Sequence, residues 1–336
     1  MKHRTYILTG WLVIVAFAGI VVGVSSTASA TPPRVAQDKV KITFVIPELA
    51  NPFYVPAIKG ARSAAKKYGI DLSVVGTQQF DVQQTIALLD DALATGAQAI
   101  LAVPGNPTSL NNEIEKAEAK GVYVGTAILD APTSKRDFFI GHDTEAEGRE
   151  QAMRVLRVLH HRGATGVVEA AITTCLPGST GQERRRRGFT EGVKRSPYGT
   201  AFRVKIVAYV NATGEPAKSL ANHQNLLLAH PRLEVIYPMC AISTLDAGLV
   251  VKAKNRRDII IAGHDWLPQT LDLIEEGWIN WSVGERPYEN AARAVQWLAE
   301  AVRGTKPIPH GIFYSQVALA TRANVDRVRK SPDASG

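Results

Sequence analysis

A chain of 336 residues with 45% hydrophobic and 21% charged side chains has the makeup of a globular protein, which excludes the disordered and fibrous classes. Its length exceeds the roughly 250–300 residues that one hydrophobic core usually spans, so the chain has room for two lobes with separate cores. The net charge is +8, from 39 Lys and Arg against 31 Asp and Glu, and part of the excess sits in one run, Arg184-Arg185-Arg186-Arg187.

The first element, over 1–30, stands apart from the globule. Lys2, His3 and Arg4 precede an apolar run over 6–24, and small residues end at Ala28-Ser29-Ala30. This is the layout of a secretory signal peptide cleaved after Ala30, which places the mature chain in the periplasm. The alternative is an uncleaved membrane anchor, because the apolar run approaches the length of a span. No Cys lies beside the cleavage point, which argues against a lipid anchor. Removing Lys2 and Arg4 lowers the net charge to +6. An exported protein meets no genome, so the arginine run reads as a solvated helix face with one inward Arg rather than a nucleic-acid patch. Export also permits a disulfide between the two cysteines, Cys175 and Cys240, although spacing alone does not show that they pair. Without a His cluster at ligand spacing they make no zinc site, and no metal or cofactor is expected.

After a polar leader over 31–39, apolar runs alternate with stretches of helical period, the pattern of β-α-β units in doubly wound parallel sheets. Strands are expected at 40–47, 70–75, 97–103 and 122–128, with helices at 54–68, 81–95 and 109–120, the latter two capped by Asp81 and Ser109. Gly69, Gly96 and Gly121 follow the three helices, where a left-handed residue ends a helix. The pattern restarts with strands at 166–172, 202–210, 233–237 and 258–263 and helices at 182–194, 218–229 and 245–254. A strand at 279–284, a helix at 287–303 and a strand at 311–320 finish the chain. The fold class is therefore α/β, two doubly wound parallel-sheet lobes joined by a multi-crossover hinge. The N-terminal lobe takes 40–142 plus 286–313, the C-terminal lobe 143–285 plus 314–330, and 331–336 is a tail. Ligands of such sheets bind beyond the carboxyl ends of the strands, so the residues there are the candidates for a site.

Those residues carry a resemblance. The first strand runs into Asn51-Pro52-Phe53-Tyr54, and in order follow Pro104-Gly105-Asn106, Asp130-Ala131-Pro132, Ile140-Gly141-His142-Asp143, Arg185-Arg186-Arg187-Gly188-Phe189, His223-Gln224-Asn225-Leu226-Leu227 and Gly263-His264-Asp265. Each motif is weak alone, but over about residues 40–330 their ordered set resembles the ribose-binding protein family, the type I periplasmic binding proteins of ABC sugar importers. The resemblance implies that Asn51 bonds a ligand hydroxyl, that Phe53 and Tyr54 flank a sugar ring, that Arg185 points inward, and that Asp265 accepts from the ligand. The aromatics have a second reading, as core residues opening a helix. Glu285 stands where the family has a hinge-side Gln, Asn106 belongs to the third strand end, and Trp266, Trp281 and Tyr237 are further lining candidates, the tryptophans alternatively covering the hinge.

Three departures bear on the ligand. The family's Asp after the fourth strand falls on Ile128, and its Asn-Asp pair falls on Cys240-Ala241. Asp130 is placed to replace the lost carboxylate or to fix its own turn. A buried hydroxyl without a partner costs about 1–3 kcal/mol, so these losses argue against ordinary ribose. Family members that bind autoinducer-2 also lack the Asn-Asp pair and carry a Pro where Pro238 stands, and aromatics beside carboxylates suit a small amine. Cys175 and Cys240 follow strands that are neighbours in this type of sheet, which leaves a disulfide at the cleft mouth open.

The expected function is capture of a small sugar-like or polyol ligand by a monomer that delivers it to a membrane ABC permease, with a membrane receptor kinase as the alternative partner. No phosphate loop, nucleophile elbow or H-E-x-x-H helix is present, which argues against an enzyme. A sugar-responsive repressor of the same fold needs an N-terminal helix-turn-helix where this chain has its expected signal peptide, so no nucleic-acid partner is expected.

Overall fold

The computed structural model describes residues 39–334. The expected signal peptide, its cleavage point and all but the last residue of the leader lie outside them. Among the described residues no helix is long and apolar enough to cross a membrane.

Five strands, β1 (Lys41–Ile46), β2 (Asp71–Gly76), β3 (Ala99–Ala102), β4 (Tyr123–Ala127) and β5 (Phe138–Gly141), form one sheet. Five more, β6 (Gly166–Thr174), β7 (Phe202–Asn211), β8 (Leu233–Pro238), β9 (Ile260–His264) and β10 (Trp281–Gly284), form a second. The run expected as one strand at 311–320 is two: β11 (Gly311–Tyr314) pairs parallel with β5, and β12 (Ala318–Ala320) pairs antiparallel with β10. An apolar run carries no sign that the chain changes sheets partway. The spatial orders are β11-β5-β4-β3-β1-β2 and β12-β10-β9-β8-β6-β7, the same winding twice.

Between the strands of the first sheet run α1 (Val55–Tyr68), α2 (Val82–Ala94) and α3 (Asn111–Ala119). Asp81 caps α2 by accepting from the Gln84 amide at 3.0 Å. Ser109 does not cap α3, whose N-cap position is Leu110. Gly69, Gly96 and Gly121 adopt φ of 62°, 81° and 70°, the conformation expected of them. The second sheet carries α4 (Thr144–His161), α5 (Thr180–Lys194), α6 (Pro216–Ala229), α7 (Ala241–Ala253) and α8 (Pro268–Glu275). Then α9 (Pro287–Val302) returns to the first sheet and α10 (Val325–Arg329) lies on the second.

Each sheet is buried on both faces, as parallel sheets require. In β1, Ile42, Phe44 and Ile46 enter the core under α1 and α9, while Val45 points the other way into the core under α2 and α3. The second sheet repeats this, with α4 and α5 over one face and α6 to α8 over the other. The chain passes between sheets after β5, after β10 and after β11, and the third passage is tied to the first where Ser315 Oγ donates to the Gly141 carbonyl at 2.8 Å. These three passages set the carboxyl ends of the two sheets face to face.

Candidate functional site

A cavity of about 190 Å³ lies where those strand ends meet. From the first sheet come Glu48, Asn51, Phe53 and Tyr54 after β1, Phe80 after β2, and Ile128 and Leu129 after β4. From the second come Cys175 and Leu176 after β6, Gln182 and Arg185 from α5, Asn211 at the end of β7, Met239 to Ile242 after β8, and Asp265 after β9. His142 and Glu285 sit on two of the passages between lobes. The lobes touch around it: Thr180 Oγ1 donates to the Asp130 carbonyl at 3.4 Å, and Gly181 lies against Leu129. This is the shut form of a two-lobed cleft.

The entrance is built by a short 3-10 turn, Pro52–Tyr54, capped by Asn51. Asn51 Oδ1 accepts from the Phe53 amide at 3.1 Å, and its Nδ2 donates to Glu48 Oε2 at 3.1 Å. Capping turns Phe53 and Tyr54 into an edge-to-face pair with centroids 5.1 Å apart.

The floor is a buried set of charges. His142 Nε2 lies 2.7 Å from Glu147 Oε2 and 3.2 Å from Glu285 Oε1. Arg185 pairs with Glu285, reaches Glu147 at 3.3 Å, and donates from Nη1 to the Met239 carbonyl at 2.9 Å. His264 pairs with Glu147 and bonds the Pro238 carbonyl through Nδ1 at 2.7 Å. Burial works against a charged His142, but Glu285 and Glu147 overcome it and raise its pKa to about 10. Burial likewise opposes ionisation of Glu147 and Glu285; Arg185 and the histidines outweigh it and hold both carboxyls below their usual range. Asp265 is the exception, raised well above the usual value first by burial and then by Glu285. Its Oδ1 has no hydrogen-bond partner. Such atoms are rare in native interiors, and this one belongs to a residue lining the cavity.

His142, Glu147 and Glu285 offer oxygen and nitrogen atoms within 4.8 Å of one another, the spacing of a cation site. The Arg185 guanidinium already lies against both carboxylates, so the set reads as a closed ion network rather than a metal centre.

Of the candidates named from sequence, the structure brings Asn51, Phe53, Tyr54, Arg185, Cys240, Asp265 and Glu285 to the cavity wall. Asn106 is elsewhere: its Oδ1 accepts from the Thr108 and Ser109 amides at 3.0 Å and fixes the turn before α3. Asp130 is spent on its own turn, taking Arg136 Nη2 at 2.7 Å and Thr126 Oγ1 at 3.0 Å. Trp266 is buried on the hinge side, where its Nε1 donates to the Ser282 carbonyl at 3.1 Å. Trp281 donates to Gln151 Oε1 at 2.6 Å inside the second lobe, and Tyr237 stacks on Phe189 at 4.0 Å in the same core. Sequence reasoning missed Glu48, Phe80, His142 and Gln182. His142 stood inside a quoted motif at a strand end, which was signal enough to name it.

Cys175 and Cys240 form a disulfide with Cα atoms 6.2 Å apart. They leave β6 and β8, which are hydrogen-bonded neighbours, so the two strand ends deliver them to one spot on the wall.

A profile of the periplasmic binding protein domain matches residues 42–306. The chain is 26% identical over 304 residues to the D-allose-binding periplasmic protein of Escherichia coli K12, across 87% of this chain and 92% of that protein. It is 24% identical over 294 residues to the ribose import binding protein of Salmonella typhimurium, across 85% and 91%. Among solved structures, a glucose-galactose binding protein of Geobacillus stearothermophilus superposes with a TM-score of 0.76 at 25% identity, over 86% of this chain and 99% of that one.

Proposed function

The chain belongs to the periplasmic binding protein family, and on that premise we propose that it is an exported solute-binding protein that closes on a small sugar or polyol and presents it to a membrane ABC permease. The observation that carries this reading is the unpartnered carboxyl oxygen of Asp265 in a shut cavity whose mouth is aromatic. A sugar has apolar C–H faces and a polar edge of hydroxyls. Phe53 and Phe80 suit the faces, and Asp265, Glu48 and Arg185 suit the edge. At about 190 Å³ the cavity is below the roughly 300–1,000 Å³ of drug-sized ligand sites, which favours a single monosaccharide ring.

The same wall supports binding without chemistry. Both sulfurs are joined, and His142 is held by two carboxylates, so neither serves as a nucleophile or a free base. The relatives named allose- and ribose-binding support a sugar over autoinducer-2 or an amine. Release would follow reopening about the three passages, with the permease recognising the shut form.

The test is a thermal-shift and calorimetric panel of aldohexoses, pentoses, deoxy sugars, polyols, autoinducer-2 and small amines. A ligand at 100 times its dissociation constant adds about 2.7 kcal/mol of stability, well within reach of the assay. A panel in which only amines bind, or in which turnover of a sugar is detected, would overturn the reading.

A further inference from the structure

Ile128 is in a conformation that isoleucine resists. Its φ is 68°, and the Leu129 amide donates to the Ala127 carbonyl at 2.7 Å across it, closing a three-residue turn of the strained, positive-φ kind. A branched Cβ crowds the following carbonyl there, whereas Asn and Asp enter that region readily. Two other residues of the cavity wall, Thr213 and Asp265, have positive φ; Asp265 is of the tolerated type, and Thr213 lies in a polar turn where its amide donates to Asn211 Oδ1 at 3.0 Å. The Ile128 amide donates to the Ile140 carbonyl at 3.0 Å, so β5 clamps the turn and the side chain stays on the wall. Strain kept at a binding surface calls for a reason at that surface.

The surroundings supply one. Ile128 packs into the core under α1 and α9 together with Tyr54, Phe53 and Leu129, and Leu176, Met239, Ile242 and the Cys175–Cys240 disulfide add further apolar groups to the cavity wall. Two of its polar side chains are already engaged. Asn51 uses its Oδ1 on Phe53 and its Nδ2 on Glu48, and the Gln182 carbonyl oxygen is taken by Thr174 and the Cys175 amide. A ligand hydroxyl set against Ile128 receives no hydrogen bond from its hydrocarbon side chain, where an Asn or Asp at that position would supply one.

We propose that Ile128 is a specificity-determining residue that selects a deoxy sugar, one whose methyl or methylene carbon rests on Ile128 where a fully hydroxylated sugar would strand a hydroxyl. The inference rests on the sugar-binding reading given above and sharpens it to a substrate class.

The experiment measures dissociation constants by calorimetry for pairs that differ by one hydroxyl: L-fucose and L-galactose, L-rhamnose and L-mannose, 2-deoxy-D-ribose and D-ribose. In at least one pair the deoxy sugar binds tenfold or more tightly than its parent, a difference of about 1.4 kcal/mol. In Ile128→Asn, which suits the backbone and offers the hydroxyl a partner, that ratio falls below threefold. If Ile128→Asn does not fold, Ile128→Ala carries the same test, because the smaller side chain gives the extra hydroxyl room for water. Parents that bind as well as or better than their deoxy partners in every pair overturn the inference and leave sugar binding intact. A ratio unmoved in the folded variant overturns the role of Ile128. Binding of no sugar at all defeats the underlying reading and the inference with it.

Discussion

Replacing Asp265 with Asn separates what the residue does for a ligand from what it costs the empty fold. The carboxyl is buried, its Oδ1 has no partner, and burial and Glu285 together raise its pKa. Asn has the same shape and tolerates the φ of 66° found there. An unmatched buried polar group costs about 1–3 kcal/mol, and a buried acid beside another acid lies toward the upper end. Asn retains some of that cost, so the ligand-free variant gains about 1 kcal/mol, or ~2–4 °C in the unfolding midpoint of a lobe-sized body. The pH dependence has a definite sign. With its pKa raised in the folded state, Asp265 favours folding most below its ordinary 3.8 and loses that contribution as pH rises. The gain from Asn is therefore largest at neutral pH and shrinks toward pH 4. Ligand binding moves the opposite way: a buried ligand hydroxyl that loses its matched acceptor costs about 1–3 kcal/mol, so affinity falls about 5- to 150-fold. Scanning calorimetry of the empty protein and titration with the bound sugar measure both. A variant that binds within twofold of wild type, or whose empty form melts lower, refutes the reasoning.

Three further outcomes follow from the structure. Reducing the Cys175–Cys240 disulfide, which closes a loop with a sequence separation of 65, lowers stability by up to about 4 kcal/mol in the chain-entropy account, read as a shifted urea midpoint; an unshifted midpoint counts against it. His142, with its folded-state pKa raised to about 10, contributes fully below its ordinary 6.5 and loses that contribution as pH rises through 10, so stability declines between those values and declines less in His142→Gln. Gly60→Ala would push a Cβ into the Tyr288 backbone, whose carbonyl carbon is 2.8 Å away, separating α1 from α9 at about 1–3 kcal/mol; denaturation with a wild-type midpoint would show that the helices yield freely.

How much of this was legible in the sequence depended on whether a feature is written locally. The alternation of apolar runs with helical stretches, and a Gly at each of three helix ends, are local signals, and the strands they marked are present within a few residues. The strand β5 is only four residues long and gave no run to notice. Helix α4 was missed although it has 18 residues, because its first turns are crowded with Glu145, Glu147 and Arg149 and its apolar stripe starts at Ala152. At the site, the strand-end rule said where to look and the family resemblance picked out Asp265 and Glu285, but neither could tell their neighbours apart. Asp265 and Trp266 are adjacent, yet the positive φ at Asp265 sends one to the cavity and the other to the hinge. Asn106 and Asp130 also follow strands, but their own turns satisfy them, which is a property of geometry and not of residue type. The charged floor was least legible, since Arg185 meets His142 across 43 residues and Glu285 across 100. That floor also bears on why Asp265 Oδ1, like His142 Nδ1 on the same wall, has no partner among the described residues. Glu147 and Glu285 pair directly with Arg185 and His142, so a third carboxyl in the same low-dielectric space forms no ion pair of its own, and burial and Glu285 outweigh the more distant pull of those cations and raise its pKa.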